Sequence, residues 1–237
     1  MINRNLRSGK TEDDPLNGCV MLSVGVIGAV GYACFAEGIF GALAAVFMVF
    51  FSGTFALGFF EPLARVIGPI IHGTVLSNYE DGIALSALFS ISYMGLRTIL
   101  NNLTPRRFEY PLLLDQIGGG VTGVLVGYLV SGFIIVMFQT LPWEETFWGF
   151  HPVYQTEETT AGRKYFPGDR VWLSIMHRVT GPSGMLGGGT EHQFDPDGSF
   201  EVRYGRHRRQ PGEDGSRPFQ GELYRLHGEP PPEPEVP

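Results

Sequence analysis

The sequence predicts an all-α membrane fold: a four-helix transmembrane bundle, then a small extramembrane C-terminal region of α+β or β-hairpin-like character and a disordered tail. Three observations lead there. Of the 24 acidic and 17 basic residues in the 237-residue chain, only sixteen precede Leu141, so charge and apolar residues occupy different parts of one polypeptide. Between Leu16 and Phe60 the only fully ionised side chain is Glu37, in a run about twice as long as one helix needs to cross a ~30 Å hydrocarbon core. The stretch from Gln116 to Leu141 carries no charge and repeats glycine every fourth residue.

Residues 1–15 are polar. Arg4, Arg7 and Lys10 are followed by Thr11-Glu12-Asp13-Asp14-Pro15, and the apolar run behind them far exceeds the core of a secretory signal, so the start reads as a polar N-terminal segment. The transmembrane domain is expected at 16–142, with spans at about 17–36, 39–60, 82–102 and 116–141. Ala36-Glu37-Gly38 is the natural point of reversal between the first two, because a charge prefers the interface and glycine permits unusual backbone. Glu61-Pro62, Arg65, Pro69 and His72 then read as a loop. The third span follows Asn78-Tyr79-Glu80-Asp81, acids that suit a helix N-terminus. Arg97 in its last turn must snorkel to the headgroups, and an amphipathic surface helix is the alternative for this segment. The fourth span opens behind Asp115 and ends at Pro142-Trp143, where an indole suits the interface.

Gly119, Gly123, Gly127 and Ser131 share one face of that fourth helix, a smooth groove into which another backbone can press, within the bundle or from a second copy. A conduit along the same face would need polar side chains at depth, and the helix offers only Thr122 and Ser131. Glu37, Asp81, Arg97 and Asp115 all fall at expected helix ends and mark interfaces. The sharper reading makes an acidic pair among them an ion route.

Residues 143–210 form a small extramembrane region too small to carry a core of its own, expected to pack on the bundle's loops or stay partly mobile. Within it Tyr165 to Ile175 reads as a turn into a short strand or the start of a helix, and Ser199 to Tyr204 alternates as a half-buried strand does. Residues 211–237, rich in proline and glutamate, cannot bury a core and are expected to be disordered. Asp195-Pro196-Asp197-Gly198 is a turn, not a calcium loop, since Arg206 stands where a carboxylate is required. Six scattered histidines give no metal spacing, Gly187-Gly188-Gly189 lacks the lysine of a nucleotide loop, and Ser92 and Ser131 have no histidine at membrane depth. Cys19 and Cys34, about 22 Å apart on a continuous helix, read as buried thiols. The net charge of −7 and the lack of a basic, aromatic-interleaved stripe argue against nucleic acid as a partner. Neither a metal, a cofactor nor a small-molecule ligand is expected, and no catalytic residue is assigned.

Three stretches resemble the CvpA family, named for its part in colicin V production: Ala36-Glu37-Gly38-Ile39-Phe40-Gly41-Ala42-Leu43, then Asp81-Gly82-Ile83-Ala84-Leu85-Ser86-Ala87-Leu88-Phe89, then Leu114-Asp115-Gln116-Ile117 through Gly127. The resemblance covers about residues 16–142. It departs at Glu37 and Val126, where the family usually has arginine. The resemblance implies a non-enzymatic protein of the bacterial inner membrane, acting in toxin secretion or envelope maintenance through protein partners or self-association. A small transporter or channel component, or an accessory subunit of a larger membrane complex, is the alternative. Counting Arg4, Arg7, Lys10 and Arg65 against Arg97, Arg106 and Arg107 predicts both termini on the cytoplasmic side.

Overall fold

The structure, a computed structural model, describes residues 18–71, 74, 76, 78–103, 111–143, 148, 168–181, 184, 194 and 200. Four helices have described bounds: α1 (Gly18–Ile71), α2 (Glu80–Leu103), α3 (Leu112–Gln139) and α4 (Gly168–Thr180). The first three are each long and apolar enough to cross a membrane. No strand occurs among the described residues.

α1 is broken at Gly38, whose backbone is not helical, and the two arms on either side run in opposite directions. Contacts with α3 establish the reversal. Along the first arm Gly38, Cys34, Gly31 and Ile27 meet Gly119, Gly123 and Gly127 in descending order, so that arm and α3 are antiparallel. Along the second arm Ile39 meets Gly118, while Gly53 lies against Trp172, whose indole bonds to Leu129, so that arm and α3 run the same way. α2 is antiparallel to α3, since Gly82 meets Leu141, Ser86 meets Met137 and Phe89 stacks on Phe133. An up-and-down arrangement of four rods results. α2 packs chiefly on α1 and only lightly on α3.

The second arm is closely enclosed over much of its length. Ala42, Ala45, Val49, Ala56, Leu57, Phe60 and Ala64 are all buried, at helical spacing and mostly small, which lets neighbouring helices approach on several sides. Phe47, Phe51, Phe55 and Phe59 form a row four residues apart on the opposite face and are exposed. Exposed apolar rows also occur on α2 (Ile91, Met94, Ile99) and α3 (Ile117, Val121, Val124). Water would not tolerate so much contiguous apolar surface, and hydrocarbon does.

The expected loop after residue 60 is instead helix, through Pro62 and Pro69 to Ile71. Each proline removes one backbone hydrogen bond, yet Leu57, Phe60, Leu63, Ala64 and Ile67 keep the buried stripe in register across both. Packing therefore outweighs the lost bonds. His72 lies outside the described residues. α3 begins at Leu112, so Asp115 stands inside its first turn and not in front of it.

Of the two readings of Tyr165 to Ile175, a short strand or the start of a helix, the helix is the one observed. Residues 168–180 form a helix, with Gly168, Asp169, Trp172 and Met176 buried at the three-and-four spacing of one helix face. α4 packs on α3 and on the second arm of α1, where its indole stacks on Phe50 and meets Phe133 edge-on. It does not sit on the loops as expected. Phe200, the one described residue of the expected strand at 199–204, is helical and buried beside Phe194. The remainder of that strand and the expected disordered end at 211–237 lie outside the described residues.

Candidate functional site at the helix break

Gly38 has φ 84° and ψ 176°, a backbone region essentially reserved for glycine. The helix that restarts after it exposes backbone N–H groups with no partner inside the helix. One of these finds a partner 76 positions along the chain, where the Ile39 N–H donates to Asp115 Oδ1 at 2.9 Å. Asp115 thus caps a helix other than its own. It also stands in the first turn of α3, so one carboxylate serves two positive helix ends. A β-carbon on Gly38 would lie 2.6 Å from Asp115 Oδ1, so the close approach and the backbone angle both demand glycine.

Immediately before the break, Glu37 Oε1 accepts a hydrogen bond from Arg97 Nη2 at 2.7 Å. Tyr93, one turn earlier on α2, also interacts with that guanidinium. The Glu37 and Arg97 side chains are 44% and 48% exposed, so the pair sits at the rim of the bundle and not within it. Arg97 was expected only to snorkel. Here it has a specific partner on another helix, and that partner is the acid at the reversal.

Glu37, Arg97 and Asp115 therefore gather around Gly38 at one end of the bundle. Asp81, the fourth expected interface charge, is at the other end at the start of α2, and is only 2% exposed. Glu37 and Asp115 are thus the two acids brought to the same end, and Asp81 stands apart from both.

The glycine row faces inward. A β-carbon at Gly119 would lie 2.7 Å from the Cys34 carbonyl oxygen, at Gly123 2.5 Å from Cys34 Cβ, and at Gly127 2.7 Å from Ile27 Cα. Ser131 is buried and its hydroxyl donates to the Tyr128 carbonyl at 2.9 Å. The first arm of α1 fills this groove, with Gly31 facing Gly123 backbone to backbone. A second copy has no room there. Neither Cys19 nor Cys34 is in a disulfide; Cys34 is buried as expected, whereas Cys19 is only half-buried.

The opposite end holds a second polar group of residues that the sequence did not announce. Gln139 Nε2 donates to Asp169 Oδ2 at 2.9 Å, both side chains being buried, and Trp172 Nε1 donates to the Leu129 carbonyl at 2.7 Å. Gly53 gives way to the Trp172 ring and Gly132 to the backbone of Gly168. Ser52 Oγ, Thr54 Oγ1 and Gln139 Oε1 are buried without a hydrogen-bond partner. A cavity of about 480 Å³ opens between α2 and α3, lined by Gly82, Ile83, Ser86, Ala87, Ser90, Met137 and Leu141 and almost wholly apolar. No group of three or more metal-binding side chains occurs among the described residues.

The Asp115 cap had a partial signal in the sequence, since an acid in front of an apolar span suggests a helix start. That the helix start it serves is another one is a tertiary fact. The spacing of Asp169, Trp172 and Met176 was the available signal for α4. A family model described as Colicin V production protein matches residues 21–157, more than half of the chain. No curated protein and no solved structure matches.

Proposed function

The chain belongs to the colicin V production protein family, the CvpA family, and from that membership we propose that it is a non-enzymatic multi-pass protein of the bacterial inner membrane, acting in toxin secretion or envelope maintenance through helix packing and protein partners. The observation that carries this reading is the coincidence of the matched residues, 21–157, with the packed bundle that runs from Gly18 to Trp143. The matched residues thus take in both arms of α1, α2 and α3, and α4 lies outside them. The two arms of α1, α2 and α3 make four crossings, with the chain entering and leaving on the cytoplasmic side. Partners dock on the polar loops and rims at either end, because the glycine groove is filled from within.

Purification of the full-length protein from native membranes in mild detergent tests the reading. A fixed set of envelope or export proteins is expected to travel with it, and loss of the gene is expected to impair toxin release or sensitise cells to envelope stress. A chain that purifies alone and whose loss changes neither property would overturn the proposal. A small transporter or channel component is the second reading, favoured by the buried, unpartnered oxygens of Ser52, Thr54 and Gln139. Solute flux through liposomes containing only this protein would favour it. An accessory subunit of a larger membrane complex would instead co-purify in fixed stoichiometry with a complex that has no part in export or envelope maintenance.

A further inference from the structure

α2 meets α3 along one edge. Gly82, Ser86 and Phe89 face Leu141, Met137 and Phe133 in turn, while the bulk of its packing is on α1. One position further round the helix, Ile83, Ala87 and Ser90 recur at four and three residues and form the α2 wall of the cavity of about 480 Å³, with Met137 and Leu141 opposite. The same stripe runs on into Ile91 and Met94, which are exposed. The cavity is therefore a slot that opens on the side where the bundle shows its apolar rows.

The depth of the slot follows from α3. Leu141 lies between Phe138 and Trp143, which form a three-ring cluster with Trp148, centroids 5.0–5.9 Å apart. Rings of this kind settle at headgroup level. From Gly82, beside Leu141, to Ser90 is about 12 Å along a helix, and half of a ~30 Å hydrocarbon core is about 15 Å. The slot thus runs from the headgroups most of the way through one leaflet.

The walls narrow the choice of occupant. An ordered water needs roughly two to four polar partners, whereas the slot is almost wholly apolar and its Ser86 hydroxyl already donates to the Gly82 carbonyl at 2.7 Å and lies 2.9 Å from Met137 Sδ. A 12 Å length of helix about 10 Å across displaces about 940 Å³, about twice what the slot holds. A hydrocarbon chain is thinner, asks for no hydrogen bond, and gives the walls the dispersion contacts that an empty slot lacks. We propose that the slot is a binding site for one acyl chain of a phospholipid, which inserts between α2 and α3 and completes the contact that the two helices leave open. The proposal rests on the bundle spanning a bilayer.

The test uses the full-length protein in liposomes containing phosphatidylglycerol with a photoactivatable diazirine midway along one acyl chain. After irradiation, adducts are mapped by peptide mass spectrometry. In the wild type they are expected to concentrate on Ile83 to Ser90 and Met137 to Leu141, above the level on the exposed row Phe47 to Phe59. The double variant Ala87→Leu, Ser90→Leu fills the slot and is expected to lose that excess, with a melting midpoint in detergent no lower than wild type. Should the double variant fail to fold, Ala87→Val supplies the same comparison with a smaller loss. Even labelling of the slot and the exposed row would overturn the proposal and leave only lipid in passing contact. So would an undiminished excess in a folded filled variant, or cross-links from the slot to a second copy of the chain. Release of the wild type from membranes by carbonate would defeat the membrane reading itself, which keeps the two failures distinct.

Discussion

Gly38 and Asp115 divide one task between them: the glycine turns the chain where no other residue could, and the aspartate satisfies the amide that the turn leaves bare. Gly38→Ala forces a side chain into an excluded backbone region, at about 1–3 kcal/mol, and pushes it onto the carboxylate as well. Asp115→Ala removes the cap and is expected to cost about 1 kcal/mol, with Asp115→Asn milder because the amide oxygen still accepts. Thermal unfolding in detergent should therefore rank Gly38→Ala below Asp115→Ala, and Asp115→Asn nearest to wild type. An Asp115→Asn midpoint as low as that of Asp115→Ala would show that charge matters here and that the accepted hydrogen bond does not. The reversal at Ala36-Glu37-Gly38 was legible because charge and glycine coincide within an apolar run. The partners of Glu37 and Asp115 were not, because pairing across 60 and 76 positions depends on how helices pack.

At the scale of elements, glycines with the same composition behave differently. Gly123 faces Gly31 and Cys34 at backbone distance, whereas nothing lies within 4 Å of a β-carbon at Gly28. Gly123→Leu is expected to lower stability by about 1–3 kcal/mol or more through overpacking between the first arm and α3. Gly28→Ala should be neutral or slightly stabilising, by up to about 1 kcal/mol, since it only restricts the unfolded chain. Both are read from melting midpoints, and a destabilising Gly28→Ala would contradict the packing described. Periodicity revealed that Gly119, Gly123 and Gly127 form a face. It did not reveal which helix lies on that face, because glycine leaves no chemical mark of its neighbour. The opposite difficulty arose at Pro62 and Pro69, whose local preference favours a loop while the buried stripe from Leu57 to Ile67 continues the helix.

For the whole molecule, α4 makes the C-terminal region part of the bundle. Trp172 is fully buried among residues from two other helices and donates its indole hydrogen to a backbone oxygen of α3. Trp172→Ala should cost about 3–5 kcal/mol if the cavity does not collapse, and Trp172→Phe less, the residual loss being that of the hydrogen bond and of the packing the smaller ring gives up. Protease cleavage near residue 168 should speed up markedly in the alanine variant. An unchanged cleavage rate would mean that the ring does not anchor the helix. Composition divided the chain into an apolar part and a polar remainder. It concealed the anchor because Asp169, Arg170, His177 and Arg178 are interspersed among the apolar residues of this short helix and cancel them in the average.

The hydrogen bond from Ile39 to Asp115 also has a consequence for the order of assembly. The reversal is synthesised early, yet its cap arrives only with the fourth crossing, after α2 and both intervening loops have left the ribosome. A chain released before Asp115 would hold two inserted arms with a bare amide at their junction. The second arm is completed by the last rod to enter the membrane, which makes the earliest turn of the bundle a checkpoint on whether the rest has arrived.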